Sequence, residues 1–229
     1  FHRVNVDATG RLFRYAREAG VLRAVLLTSY FHALKPGMAD VHPYVQSRVE
    51  SERAVLEEAT HGLELIVLQP PYVFGMVPGR RTMGTLIKRY VFSSLPLFVP
   101  AGGTNAMSAN ALAQAVAGAL ERGIPGQKYL VGGENLTWAD LVSRFARIAG
   151  RPKCVRVIPK KYFHCAMRIA SLCLWLFRRE SGLAPVPLTD VITEEMYFDP
   201  TPSAELLGYR TDDLDETIGE IVQGVSPPE

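Results

Sequence analysis

The chain has 229 residues, 48% of them hydrophobic, with 25 basic against 23 acidic side chains and a net charge of +2. That is an ordinary globular composition, enough for one large or two small lobes, and with no basic stripe interleaved with aromatics it argues against a nucleic-acid partner. Three cysteines, an odd count, with Cys165 and Cys173 too far apart along one helix to bond each other, point to free thiols and a reducing compartment.

In chain order, NVDATGRLFRYAREAGV reads as a helix, with Leu12, Phe13 and Ala16 on one face and Gly20 as its stop. AVLLTS, Ala24 to Ser29, is a continuous apolar run that suits a strand covered on both faces. A loop with Pro36 and Gly37 follows. Pro43 fits the first turn of a helix running to about Ala59, with Thr60, His61 and Gly62 ending it. LELIVLQ, Leu63 to Gln69, is a second buried strand stopped by Pro70 and Pro71. This helix–strand–helix–strand rhythm predicts an α/β parallel sheet with crossover helices.

After Gly75 the pattern loosens, and a lobe boundary is expected near Gly75–Arg81, giving lobes of 1–78 and 79–229. Helices are expected at Asn110–Arg122 and Thr137–Ala149, with strands at KYLV and CVRVIP. A Pro-rich stretch surrounds Pro185–Pro187, and SAELLGY and LDETIGEIV read as two short helices. The apolar run Tyr162 to Phe177 is shorter than the ~20 residues of a membrane span and holds Arg168 at its middle. Its stripe of Tyr162, Phe163, Ile169, Ala170, Cys173 and Phe177 is expected in the core of the second lobe. Flanked by Lys160–Lys161 and Arg178–Arg179, it keeps membrane-surface contact through 160–179 as a second reading. Phe1 opens the chain without the basic–apolar–small pattern of a signal peptide, so the expected compartment is the cytoplasm, with or without membrane association.

The candidate chemistry lies in HPYVQSR. Tyr44 and Arg48 are four apart on one helix and share a face. A free phenol has a pKa near ~10, and a neighbouring cation is expected to lower it toward working pH. Ser29 falls at the carboxyl end of a parallel strand, where ligands sit in such sheets. The five histidines show no metal-ligand spacing, and no metal is expected.

These segments resemble the extended short-chain dehydrogenase/reductases, the NAD(P)-dependent epimerase/dehydratase and reductase group. NVDAT resembles its N-V-x-G-T, with Ala8 in the glycine place, and GVLRAVLLTS resembles G-V-x-R-x-V-x-x-S-S. YVQSR followed by VESE resembles Y-x-x-S-K and its acidic helix, and LQPPYVFG resembles R-P-x-x-V-Y-G-P. GQKYLVGGENLTWADLV and the closing SAELLGY and LDETI resemble the family's substrate lobe, nearest the dihydroflavonol-reductase, 3-beta-hydroxysteroid-dehydrogenase and hopanoid-associated-epimerase branches.

The resemblance implies an NAD(P)-binding Rossmann fold with a smaller α/β substrate lobe. It implies NAD or NADP as cofactor, a small and apolar substrate, and a homodimer as one assembly. Tyr44 would be the acid/base, Ser29 the carbonyl-polarising hydroxyl, and Asn5 the support of a proton relay. Arg48 would take the lysine place, tuning Tyr44 and binding the nicotinamide ribose. Pro70, Pro71, Tyr72 and Val73 would lie near the carboxamide.

Three departures accompany the likeness. Arg48 stands where the family has lysine, and an arginine is a planar fork of different reach. NAMSANALA, Asn105 to Ala113, lacks the arginine and aspartates of nucleotide-sugar members. No G-x-x-G-x-x-G occurs, so the expectation is a sheet lacking its N-terminal strands, with an open edge at Val25–Leu27 and little turnover by this chain alone. The alternative is a redox-inactive NAD(P)-binding or interaction module on the same fold.

Overall fold

The computed structural model describes residues 2–77, 79–176, 185–211 and 214–224. A π-helical turn at Arg3–Ala8 runs into α1 (Thr9–Glu18), followed by β1 (Arg23–Leu27), α2 (Phe31–Leu34), α3 (Met38–Val41), α4 (Pro43–Ala59), β2 (Glu64–Gln69) and β3 (Tyr72–Phe74). Then come α5 (Met83–Phe92), β4 (Leu97–Pro100), β5 (Gly103–Ser108), α6 (Ala109–Arg122), β6 (Lys128–Leu130), β7 (Glu134–Thr137) and α7 (Trp138–Ile148). The remainder is β8 (Val155–Ile158), α8 (Lys160–Leu176), α9 (Pro185–Ile192), β9 (Glu195–Met196), α10 (Thr201–Leu207) and α11 (Leu214–Gln223). Two units form. The first is Phe1–Val73, Ala109–Gly133 and Asp199–Asp212, and the second is Phe74–Ser108, Glu134–Phe198 and Asp213–Glu229.

In the first unit, β1, β2 and β6 make a parallel sheet in that order, with Val25 opposite Ile66 and Leu68 opposite Tyr129. β2 alternates its apolar residues between two covered faces, the reason its run is continuous. Leu65 and Val67 pack with Phe13, Leu26, Val55 and Leu63, so α1 and α4 cover one face. Each such buried side chain contributes about 1.5–3 kcal/mol. α6 packs on β1 and β2 through Ala111, Ala115 and Ala119, all fully buried and small enough for close approach. α10 seats on α6, and just beyond α10 Tyr209 donates to the Gly132 carbonyl oxygen (3.1 Å) and accepts from the Gly132 N–H (3.0 Å) in the turn after β6. Among the described residues β1 has a strand on one side only, as expected for Val25–Leu27.

In the second unit, β7 lies antiparallel to β5 and β9 parallel to it. β4 and β8 form a separate parallel pair. α7 starts at a Thr137 cap whose hydroxyl accepts from the Asp140 N–H at 3.0 Å, and it buries Leu141, Val142 and Phe145. Trp138 is buried with its indole N–H on the Ile192 carbonyl oxygen at 2.7 Å, a packing role.

The structure corrects two expectations and adds two elements that were not assigned. Leu12 is exposed, because only Phe13 of that helix reaches the sheet. The Pro185–Pro187 stretch is the start of α9, since prolines fit a first helical turn. β5 is a strand although GTNAMS has a single β-branched residue, and every position of it is buried. Tyr162 is 72% exposed and Ile169 is 59% exposed, so that stripe is not core. Phe177, the Arg178–Arg179 pair and the side chains of Ala170 and Cys173 lie outside the described residues. No helix among the described residues is long and apolar enough to cross a membrane. Cys154 and Cys165 are exposed free thiols.

Candidate functional site

The site is built where α4 begins. His42 is extended (φ −122°, ψ 108°), and Pro43 follows as the first helical residue, so Tyr44 sits in the first turn. Ser47, three residues on, turns its hydroxyl back to the Tyr44 carbonyl oxygen at 2.8 Å. The Asn5 side-chain N–H donates to the same Ser47 oxygen at 2.9 Å. Asn5 lies inside the π-helical turn and is not a helix cap. Such turns widen the helix and re-aim one residue, and here the residue joined to α4 is Asn5.

The Arg48 guanidinium lies over the Tyr44 ring, 5.2 Å from its centroid, within cation–π range. Its Nε is buried with no hydrogen-bond partner among the described residues. Glu52, one turn further on, is engaged elsewhere: its buried carboxylate pairs with Lys128 and accepts from Gln69 at 3.5 Å. Arg48 therefore faces back toward Tyr44.

The strand ends bring up the rest. Beyond β1 the chain stays alongside β2, with the Thr28 N–H on the Leu68 carbonyl oxygen (2.9 Å) and the Tyr30 N–H on that of Pro70 (3.2 Å). Ser29 lies between them and is buried. Pro70 and Pro71 are buried, and Tyr72 and Val73 are half-buried just beyond. The Tyr72 ring meets Tyr30 edge-on at 6.4 Å and Phe31 at 6.1 Å, and Phe31 packs on Tyr30 at 4.6 Å. Burial, and then the neighbouring Tyr44 phenol, push the Tyr72 hydroxyl up to about 12.

Asn5, Ser47, Tyr44 and Arg48 are thus joined by direct contact, while Ser29 and Pro70–Val73 are placed by the ends of β1 and β2. Two participants were not singled out from sequence. Ser47 is the serine of YVQSR, and its spacing of three from Tyr44 was the available signal. His42 is buried edge-on to the Tyr44 ring at 6.3 Å, with Nδ1 unpartnered among the described residues. Burial pulls its pKa below the usual imidazole value, outweighing a backbone hydrogen bond that raises it. Further along α4, a groove of about 390 Å³ is lined by His32, Glu52 and Lys128 among others. Among the described residues no cluster of three or more His, Cys, Asp or Glu could hold a metal ion.

No family model matches the chain. Among curated proteins it is 28% identical over 172 residues to "Sterol demethylase protein B" of Methylococcus capsulatus, covering 69% of this chain and 52% of that protein. The chain thus spans about half the length of that relative. It is 24% identical over 252 residues to a "Putative dihydroflavonol 4-reductase" of Synechocystis, covering 96% of this chain and 69% of that protein. Among solved structures, that of gox2253 superposes with a TM-score of 0.78 at 23% identity, over 96% of this chain and 71% of that one. A dTDP-glucose 4,6-dehydratase from Bacillus anthracis, solved with NAD, gives 0.67 at 12% identity over 97% and 68%. RMD from Pseudomonas aeruginosa, solved with NADPH, gives 0.65 at 13% identity over 95% and 72%. The chain has their doubly wound, open parallel-sheet fold, that of the extended short-chain dehydrogenase/reductase and epimerase structures.

Proposed function

We propose that the chain belongs to an NAD(P)-dependent oxidoreductase or epimerase of the extended short-chain type, acting on an alcohol or ketone of a small apolar substrate. The observation that carries this reading is the hydrogen-bonded run from Asn5 through Ser47 to Tyr44, with Arg48 over the phenol ring. The residues suit a nicotinamide nucleotide: the buried, unpartnered Arg48 Nε offers a donor to a ribose hydroxyl, and Pro70–Val73 offer backbone for the carboxamide. When bound, the nicotinamide supplies or accepts the hydride.

Tyr44 does the proton work. In reduction its hydroxyl gives a proton to the substrate oxygen, and in oxidation the phenolate takes it back. Ser29 donates a hydrogen bond to the same oxygen and orients it. Arg48 keeps the Tyr44 ring in place through the face contact, and Asn5 holds the first turn of α4 through Ser47. His42 and the Tyr30–Phe31–Tyr72 cluster shield one side from water. The first unit is assigned the cofactor, and the second the substrate. Support for an apolar substrate comes from the names of the two curated relatives, "Sterol demethylase protein B" and "Putative dihydroflavonol 4-reductase".

The test uses the full-length protein with NADH or NADPH and a panel of sterol-like and flavonoid-like ketones. Tyr44→Phe is expected to lower kcat by about 10²–10⁴, the usual weight of a general acid, while the thermal unfolding midpoint stays unchanged. Undiminished turnover overturns the assignment. Arg48→Lys separates this reading from the redox-inactive module: the enzyme reading expects retained or raised activity, whereas nicotinamide-nucleotide binding without turnover in both forms supports the module.

A further inference from the structure

Among its described side chains, Lys160–Ile169, α8 packs by one face. His164 meets Thr193 at 3.3 Å and Asp190 at 3.7 Å, Lys160 pairs with Glu194, and Phe163 and Met167 are half-buried. On the opposite side, Tyr162, Cys165, Ala166 and Ile169 recur at helical spacing, and all four are exposed. In the sequence the same spacing continues with Leu172, Cys173 and Leu176. With Phe163 and Met167 on the packed side, α8 is apolar on both sides, whereas a surface helix ordinarily turns a polar face to solvent. Exposed apolar stripes of this kind mark contact with another apolar phase.

Charge decides between the candidate phases. Lys161 and Arg168 are exposed and border the stripe on one side, and 160–176 contains no Asp or Glu. A second copy docking symmetrically by this face would bring these cations against their own counterparts, which is unfavourable. An anionic bilayer surface suits both features: acyl chains accept Ile169, Cys165 and Ala166, and lipid phosphates and carboxylates accept Lys161 and Arg168. A tyrosine such as Tyr162, apolar in its ring and polar at its tip, is at home at that boundary.

We propose that α8 is a monotopic membrane-binding element that lays its exposed stripe into an anionic lipid surface. It does not span the bilayer, and the proposal is independent of the redox reading. The test is co-sedimentation of the full-length protein with vesicles of phosphatidylcholine plus phosphatidylserine, and of phosphatidylcholine alone. Binding is expected to the anionic vesicles, to weaken with added salt, and to fall roughly tenfold or more in Ile169→Glu and in Lys161→Glu/Arg168→Glu. Because these side chains face solvent, the variants are expected to keep the wild-type melting midpoint. With Cys165 kept as the single cysteine by Cys154→Ser and Cys173→Ser, it is expected to react more slowly with a polar maleimide when anionic vesicles are present. Absence of binding, equal binding to uncharged vesicles, binding indifferent to these substitutions, or equal labelling of Cys165 with and without vesicles overturns the proposal. So does a change of oligomeric state in Ile169→Glu without vesicle binding, which makes the stripe a protein interface.

Discussion

His42 and Glu58 set opposite ends of an acid response at the scale of single residues. The imidazole is buried against Tyr44, and burial lowers its pKa below 6.5. The unfolded chain therefore binds the proton first, so the stability that the neutral ring contributes is complete above about 6.5 and is lost as pH falls through the folded value. His42→Phe keeps the edge-on packing and removes the titration. Its urea midpoint is expected to be flatter than wild type between neutral pH and mild acid. Glu58 receives Arg17 Nε at 3.1 Å and Arg14 Nε at 3.2 Å, and Arg17 is the larger cause of its lowered pKa. That depressed carboxylate contributes stability above about 4.5 and loses it as pH falls further, so Glu58→Gln is expected to flatten only the more acid limb. If both variants track wild type at every pH, neither group couples to folding.

At the scale of elements, α6 and β1 offer contrasting tests. Gly118 faces α10 so closely that a Cβ would overlap the Leu207 carbonyl oxygen, which is backbone and cannot swing away. Gly118→Ala is therefore expected to cost about 3 kcal/mol despite alanine's better helix propensity, measured by denaturant unfolding. In β1, the N–H groups of even-numbered residues turn toward β2, as Thr28 and Tyr30 do just beyond it. Those of Val25 and Leu27 turn to the open side. Their amide hydrogens are expected to exchange faster than those of Ala24 and Leu26 in this chain, and comparable protection along the strand counts against an open edge.

The same elements show what was legible in advance. α4 runs from Pro43 to Ala59 as read, because a proline at the first turn and a Thr-His-Gly end are local signals. β1 and β2 were legible as apolar runs. β5 was not, because its burial comes from β7 and β9, which lie far along the chain and leave no period in GTNAMS. Tyr44, Arg48 and Asn5 were legible as a spacing and a resemblance. The Ser47 link between Asn5 and Tyr44 depends on two helices packing, and the pairing of Glu52 with Lys128 joins α4 to β6, far along the chain.

At the scale of the molecule, the first unit draws on three separate stretches of chain, and its last, Asp199–Asp212, supplies Leu207 and Tyr209, both nearly inaccessible. Burying those two side chains contributes on the order of 5 kcal/mol, comparable to the whole stability of a marginal domain. A chain ended after Phe198 is therefore expected to lose cooperative unfolding of the first unit, read by circular dichroism during denaturant titration. A sharp transition at the wild-type midpoint speaks against that dependence. The arrangement also has a consequence on the ribosome. Leu207 follows Arg122 by 85 residues, so at roughly 5–20 residues per second α6 waits on the order of ten seconds for the helix that seats on it. During that interval the face of α6 that receives Leu207 has no cover, and a holding chaperone is expected to find it there.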